Sequence, residues 1–556
     1  MALMYPKIPL AQRILQICLG KGLKHIVICP GSRNAPLTIG FASNPAFSCY
    51  SIADERSAAF FALGMAQQTG KPVAVVCTSG SAVLNFYPAV AEAFYSMIPL
   101  VVISADRPPH KIDIGDGQTI RQQNVLANHT LYNANLQFDD SDENDELINT
   151  AINIAFTGKG PVHINAPFEE PLYETVRKPS VDATISAFSK VYKTLPVDDL
   201  IAFTNIWNAA SRKLILVGTN PPDDLDEDVI TKLAEDNSVV LMTEVTSNIN
   251  HPAFFPHIDR IITPFSRKEF LASQPEIVLT FGGMIVSKRI KAFLRTYKPE
   301  HHWHVDPIRA YDTFGVLTKH FESTPNDFFT QFLPFTNKVL SDYSRYAGAT
   351  ARRRRKKHDE FCKDAPYSDF KVFEKVIASI PDNYMVQVGN SAPIRYMQLF
   401  DVKPSLEIYC NRGTSGIDGS TSTAIGAAAA SGKPTLLITG DISFFYDSNA
   451  LWNNYIPQNF KIILVNNGGG GIFRILPGHQ DTMIFNTYFE TSHQRNAFHL
   501  AAMYNFQYYL ASNSEELDAA LPDFYKADKP ALLEISTPTV LNDKVLKSYF
   551  KFLANS

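Results

Sequence analysis

Residues 435–441 read Thr-Leu-Leu-Ile-Thr-Gly-Asp, and residues 462–473 read Ile-Ile-Leu-Val-Asn-Asn-Gly-Gly-Gly-Gly-Ile-Phe. Each stretch is an apolar run that ends in residues able to meet a cation or a phosphate. Two such ends, with room for a helix between them, describe neighbouring parallel strands with a ligand at their carboxyl edge. Asp441 offers a carboxylate oxygen, Asn467 an amide oxygen, and the glycines behind it an accessible backbone carbonyl. All are hard donors suited to a divalent cation that carries a diphosphate. A Gly-Asp pair alone is commonly a turn or a helix cap; the paired strands and the following Asn-Asn-Gly favour the metal site here.

Working outward, the first third alternates short buried-strand patterns with helical ones. His25–Cys29, Val73–Cys77 and Leu100–Ser104 read as strands, and Asp54–Thr69 and Asn85–Tyr95 as helices, with Asp54 as an N-cap. Around 170–200 charged and proline-containing residues mark a linker. Lys213–Gly218, Val239–Met242, Ile277–Phe281 and His302–Val305 are the strands of a second unit. A third unit holds Met385–Val388, Glu407–Cys410, a small-residue helix at Ser420–Ser431, Thr435–Thr439, Lys461–Val465 and Ala531–Ser536. The expected fold is therefore three consecutive α/β domains with mainly parallel sheets, spanning 1–180, 190–350 and 360–556. The first and third look alike in plan.

Composition narrows the function. The 556 residues need more than one core, and 45% hydrophobic with 19% charged residues is ordinary for a globular protein. A net charge of −4 gives no global reason to expect nucleic acid or membrane partners. The basic run Arg352–Lys357 reads as a solvated helix face. Ala91–Ala105 reads as a helix entering a buried strand rather than a membrane span. Arg13, Lys21 and Lys24 interrupt the N-terminal apolar stretch, which argues against a signal peptide. The six scattered cysteines read as reduced thiols, so a cytoplasmic location is expected. No His-Glu-x-x-His, Gly-x-x-x-x-Gly-Lys-Ser/Thr or Gly-x-Ser-x-Gly occurs, so a cofactor is expected to supply the reactive atom.

Four further motifs carry a resemblance. They are Cys-Pro-Gly-Ser-Arg-Asn-Ala-Pro-Leu at 29–37, Asp-Glu-Arg-Ser-Ala-Ala-Phe at 54–60, Ser-Ala-Asp-Arg-Pro-Pro at 104–109 and Asn-Arg-Gly-Thr-Ser-Gly-Ile-Asp-Gly at 411–419. With 440–473 they resemble the menaquinone-pathway synthases among the thiamine-diphosphate (ThDP) enzymes. The resemblance implies a pyrimidine-binding first domain and a diphosphate-binding third domain. It implies that Asp441, Asn467 and the Gly469 carbonyl bind Mg²⁺ or Mn²⁺. Gly440, Ile442, Ser443, Ser391 and Gly416 would contact the cofactor, although Ile442 stands where the wider group usually has Gly. Glu55 would hydrogen-bond N1′ of the aminopyrimidine and favour its imino tautomer. Ile417 would hold the two cofactor rings together, and Ile472 and Phe473 would line the apolar wall.

The resembled family joins 2-oxoglutarate to isochorismate, each a dicarboxylate. It implies substrate contacts from Ser32, Arg33, Arg107, Gln118, Lys288, Arg289, Ser391, Arg395 and Arg412, because arginine recognises carboxylates bidentately. Arg395 and Ser391 would grip the distal carboxylate of the succinyl unit, while Arg33, Arg107, Lys288 and Arg289 would face isochorismate. Arg412 is open to either acid. The family also implies a homodimer or homotetramer whose active sites lie between subunits. An acetolactate-type carboligase, a non-catalytic metabolite-binding protein and a nucleotide-dependent dehydrogenase are the rival readings.

Overall fold

The computed structural model describes residues 4–139, 141–188, 195–475 and 481–554. The start of the expected central domain, at residue 190, lies outside the described residues. Three parallel sheets follow one another along the chain. The first comprises β1 (His25–Ile28), β2 (Ser48–Ser51), β3 (Val73–Cys77), β4 (Leu100–Asp106), β5 (Tyr132–Asn135) and β6 (Val162–Pro167), in the order β2-β1-β3-β4-β6-β5. The central sheet comprises β7 (Lys213–Val217), β8 (Val239–Met242), β9 (Ile277–Phe281), β10 (His301–Val305) and β11 (Leu317–Phe321), ordered β8-β7-β9-β10-β11. The third comprises β12 (Met385–Val388), β13 (Glu407–Tyr409), β14 (Thr435–Gly440), β15 (Phe460–Asn466), β16 (Gln507–Ala511) and β17 (Ala531–Ser536), ordered β13-β12-β14-β15-β17-β16. The first and third sheets thus share one topology, as their common plan in the sequence implied.

Central strands are continuous apolar runs because helices cover both faces. Every residue of β3, β4 and β9 is buried. Asp54 caps the Glu55–Thr69 helix, accepting the Ser57 N–H at 3.0 Å. The helix expected over 85–95 is broken: Ala82–Asn85 and Tyr87–Ser96 are separate, with Pro88 in the first turn of the second. Proline fits that position, where its missing N–H has no helical partner.

The first and third units are joined by two helices, Glu55–Thr69 and Ser420–Ser431, that cross at glycines. A Cβ on Gly64 would stand 2.1 Å from the Thr423 carbonyl oxygen, and one on Gly426 would stand 2.0 Å from the Phe61 carbonyl oxygen. The two backbones therefore touch, and one apolar core runs from Phe60, Phe61 and Leu63 through Ala424 and Ile425 to Leu437 and Leu464. Gly426→Val should lower the midpoint of thermal unfolding, since overpacking a full core costs about 1–3 kcal/mol. An unchanged midpoint would mean that the crossing yields without strain.

In the central unit, the sheet reverses direction of winding between β7 and β9. The Gly218 N–H donates to Phe281 O at 2.9 Å and the Gly283 N–H to Thr219 O at 2.6 Å. A Cβ on Gly218 would lie 2.0 Å from Gly283 O. The basic run lies on the Tyr343–Asp364 helix and is largely paired. Arg353 and Arg354 meet Glu269, Arg355 meets Asp401, and Lys357 meets Glu360.

Candidate active site

β14 and β15 pair in parallel from Thr435↔Phe460 to Gly440↔Val465, so their carboxyl ends stand side by side. Asp441 opens a short helix, Asp441–Tyr446, rather than a long crossover helix. Its Oδ1 accepts the Ile442 N–H at 2.7 Å and its Oδ2 the Gly469 N–H at 2.9 Å. Gly469 has φ 154° and would place a Cβ 2.7 Å from Glu490 O, so only glycine fits. Its own carbonyl accepts from Gly471 N–H at 3.0 Å and keeps a second lone pair. Asn467 donates through Nδ2 to Asp369 Oδ2 at 3.0 Å, while its Oδ1 is buried with no partner among the described residues. An orphaned buried acceptor beside a carboxylate and a free carbonyl lone pair suits a hard cation. A donor set of oxygens alone favours Mg²⁺ or Mn²⁺ over softer metals. The Ser443 hydroxyl donates to Ile417 O at 2.9 Å, which brings the candidate ring-holding residue to the same edge.

Two residues that the sequence did not mark complete this group. Asp369 takes the Asn467 amide and, at 2.5 Å, the Thr537 hydroxyl; burial pushes its carboxyl up to about 6, with the Asp441 charge adding. It takes the Nδ2 end of the Asn467 amide and so leaves Oδ1 as the unpartnered end. Asp369→Ala should weaken Mg²⁺-dependent ThDP binding about 10–100-fold, the usual size of an outer-shell change. Calorimetric titration checks this, and wild-type affinity would remove Asp369 from the site. His493 lies with Nε2 3.3 Å from Asp441 Oδ2. The Arg495 N–H donates to its Nδ1 at 3.1 Å, while its Nε2 is buried with no hydrogen-bond partner among the described residues.

Glu55 opens its helix and is half-buried beside the thiols of Cys29 and Cys77, at the ends of β1 and β3. Burial raises its proton affinity, and its carboxylate engages its own backbone N–H and no other group among the described residues. It is thus an acid held ready for a ligand. The residues flanking it bind the same chain's third unit: Asn449 Nδ2 donates to Asp54 Oδ2 at 2.8 Å, and Arg56 donates to Tyr446 O at 2.8 Å. No hydrogen bond or ion pair joins Glu55 itself to the 441–473 group among the described residues.

The loop between β13 and the Ser420–Ser431 helix carries Arg412, Gly416 and Ile417. Asn390 fixes it from beside, donating to Asn411 O and Gly416 O, both at 2.7 Å, and accepting from Arg412 at 2.7 Å. Ser391 next door has φ 74°, a conformation that costs a non-glycine residue about 1–3 kcal/mol and that tends to mark functional sites. Arg395 follows on the Ala392–Met397 helix. Arg395 lies within electrostatic reach of both Arg289 and Arg412; buried Asp259 faces Arg395 and Arg289, and buried Glu244 faces Arg412. Lys288 and Arg289 start the Lys288–Thr296 helix, where the helix dipole disfavours cations. Glu244 holds that start by accepting the Val286 and Ser287 N–H groups, both at 2.6 Å; burial pushes its carboxyl up to about 7. Asp259 accepts the Ser287 hydroxyl.

The first unit's candidates form a separate group. Arg33 is buried, donating to Phe168 O at 2.8 Å and to Glu170 Oε1 at 2.6 Å. Arg107 stands 3.7 Å from the same Glu170 oxygen and donates to Gly117 O at 3.0 Å. Ser32 and Gln118 are exposed nearby, Gln118 at φ 55° with its backbone against Gly80. Glu170 is a third residue the sequence did not mark; Arg33 holds its carboxyl down to about 2. No hydrogen bond or ion pair joins this group to Arg289, Arg395 or Arg412 among the described residues. Ile472 is half-buried and Phe473 is 36% exposed, on a turn beside the Asn467–Gly471 segment.

This fold and this site define a thiamine pyrophosphate enzyme. Family models match residues 8–129 (thiamine pyrophosphate enzyme, N-terminal TPP binding domain), 198–342 (middle domain of thiamine pyrophosphate) and 388–535 (thiamine pyrophosphate enzyme, C-terminal TPP binding domain). The 2-succinyl-5-enolpyruvyl-6-hydroxy-3-cyclohexene-1-carboxylate synthase of Flavobacterium psychrophilum is 62% identical, covering 99% of this chain and 100% of its own. Those of Flavobacterium johnsoniae and Porphyromonas gingivalis are 60% and 40% identical, covering 99% and 96% of this chain and 100% and 95% of theirs. The chain belongs to the 2-succinyl-5-enolpyruvyl-6-hydroxy-3-cyclohexene-1-carboxylate synthase family.

Proposed function

We propose that the chain catalyses the ThDP- and Mg²⁺-dependent decarboxylation of 2-oxoglutarate and conjugate addition of the resulting succinyl unit to isochorismate, a transferase step of menaquinone biosynthesis. The observation that carries this reading is that Arg395 lies within electrostatic reach of both Arg289 and Arg412, the last of them on the loop that also bears Gly416 and Ile417 and is tied by Asn390. A cluster of guanidinium groups beside a cofactor loop suits a carboxylate-rich substrate better than pyruvate.

When bound, ThDP supplies a nucleophilic carbon and a sink for the electrons released on decarboxylation. Asp441, Asn467 and the Gly469 carbonyl would hold Mg²⁺ or Mn²⁺, with Gly440, Ile442, Ser443 and Ser391 about the diphosphate. Glu55, its proton affinity raised by burial, would share a proton with N1′ of the aminopyrimidine. Ser391 and Arg395 would bind the distal carboxylate of 2-oxoglutarate. Lys288 and Arg289, with Ser32, Arg33, Arg107 and Gln118, would bind isochorismate, and Arg412 either acid. Ile472 and Phe473 would exclude water around the reacting carbons. The unit 1–180 would thus bind the pyrimidine and 360–556 the diphosphate, with 190–350 contributing Lys288 and Arg289.

The active form would be a homodimer or homotetramer with active sites between subunits, as the resemblance implies. Exposed Met483, Tyr488 and Trp452 on the third unit are apolar surface for such a contact. Six free cysteines, five of them buried, suit a reducing cytoplasm. No described helix is long and apolar enough to cross a membrane.

The test supplies isochorismate, 2-oxoglutarate, ThDP and Mg²⁺ and identifies the product by mass, with pyruvate as the competing donor. Formation of 2-succinyl-5-enolpyruvyl-6-hydroxy-3-cyclohexene-1-carboxylate is expected. Acetolactate-type products, or no CO₂ release from 2-oxoglutarate, would overturn the reading.

A further inference from the structure

Glu92 lies on the Tyr87–Ser96 helix of the first unit and is 1% exposed. A buried carboxylate is expensive unless its lone pairs are filled. Here they are filled without an ion pair among the described residues. Oε1 accepts the Gly413 N–H at 2.7 Å and the Ser96 hydroxyl at 2.7 Å; Oε2 accepts the Thr414 N–H at 2.6 Å and the Thr414 hydroxyl at 2.8 Å. Three of these four donors belong to the 411–417 loop of the third unit. Charge-assisted bonds of this kind are about twice as strong as neutral ones. Contact is also direct at the backbone, since a Cβ on Gly413 would stand 2.5 Å from Glu92 O.

We propose that Glu92 is a positioning residue: from another domain, it sets the loop that presents Arg412 to the substrate and Ile417 to the cofactor. The proposal rests on the function given above for Arg412. Asn390 and Glu92 grip the loop from different sides. Asn390 ties the carbonyls of Asn411 and Gly416 and the Arg412 guanidinium, and Glu92 ties the N–H groups of Gly413 and Thr414 between them. Without Glu92, those two N–H groups lose their acceptors, and Arg412 must be ordered at the expense of substrate binding. The cost falls on KM rather than on the chemical step.

Glu92→Gln tests this, because it keeps volume but turns one acceptor into a donor facing a donor. Hydrogen exchange should speed up at Gly413 and Thr414 while the Glu55–Thr69 helix keeps its protection. KM should rise about 10-fold for whichever acid loses affinity in Arg412→Lys, with kcat changed by less than about 3-fold. In an Arg412→Lys background, Glu92→Gln should add little further, because residues acting through one contact are non-additive. Full additivity, or an unchanged KM, would overturn the proposal. Should Glu92→Gln fail to fold, Thr414→Val removes one donor alone and should raise the same KM about 2- to 3-fold, as loss of one modest hydrogen bond does; no rise would overturn it equally. The exchange measurement needs no substrate, so it separates failure of the latch from failure of the assigned reaction.

Discussion

Glu55→Gln should leave ThDP bound and remove most turnover. The substituted side chain has nearly the same volume and can still hydrogen-bond a ring nitrogen, so cofactor affinity is expected to stay within about 3-fold. What it lacks is a proton of adjustable affinity. The wild-type carboxyl is prepared for that task by its surroundings: a half-buried first-turn position, the Cys29 and Cys77 thiols beside it, and no cation paired with it among the described residues. Burial disfavours the charged form, so the proton stays on to a higher pH than on an ordinary glutamate. Loss of a positioned acid–base group costs about 10²–10⁴-fold in rate, and kcat should fall in that range. The protonated form is lost as pH rises through the raised Glu55 pKa, so the fall in rate that this deprotonation causes should disappear with the substitution. Turnover near wild type, with ThDP bound, would remove Glu55 from the activation step.

Asp441→Ala should abolish the dependence of ThDP binding on Mg²⁺. The carboxylate sits at the end of β14 and is the only fully charged oxygen donor in the proposed set of Asp441, Asn467 and the Gly469 carbonyl. Removing it should cost more than the roughly 10–100-fold expected of an outer-shell residue such as Asp369. Calorimetric titration of ThDP with and without Mg²⁺ gives the result directly. Because Asp441 also accepts the Gly469 N–H, the variant's thermal midpoint must be measured alongside. A folded variant with unchanged Mg²⁺-dependent affinity would place the metal elsewhere.

Much of the fold was legible because central parallel strands are apolar on both faces. Val73–Cys77, Ile277–Phe281, Met385–Val388 and Ala531–Ser536 form where their composition places them. Two edge strands, Val239–Met242 and Glu407–Tyr409, were legible as well; the other four, Ser48–Ser51, Tyr132–Asn135, Leu317–Phe321 and Gln507–Ala511, were not, each having one flank without a neighbour and a mixed composition. Interior β6 was missed for a different reason. Its His163 and Asn165 are buried yet polar: His163 Nε2 bonds the Ser104 hydroxyl, and Asn165 Oδ1 accepts from Ser104 and Gln122.

The same division holds at the site. Asp441, Asn467, Arg33, Arg107 and Arg412 lie at or just beyond strand ends, in segments bearing glycine or proline where a motif can be read locally, whereas Arg289 and Arg395 lie on helices. Glu92, Asp369, Glu170 and Glu244 carry no local signal. Each looks like an ordinary acid, and its meaning comes from a partner far along the chain: Gly413 lies 321 positions from Glu92, and Asn467 lies 98 from Asp369.

The crossing at Gly64 and Gly426 also bears on how the chain is made. The Glu55–Thr69 helix leaves the ribosome early, but the helix that covers it is encoded some 350 residues later. At about 5–20 residues per second, the interval is roughly 20–70 s. Through that time Phe60 and Phe61 have no native cover from Ala424 and Ile425, which makes the half-synthesised polypeptide a client for chaperones that shield greasy surface until translation is nearly finished.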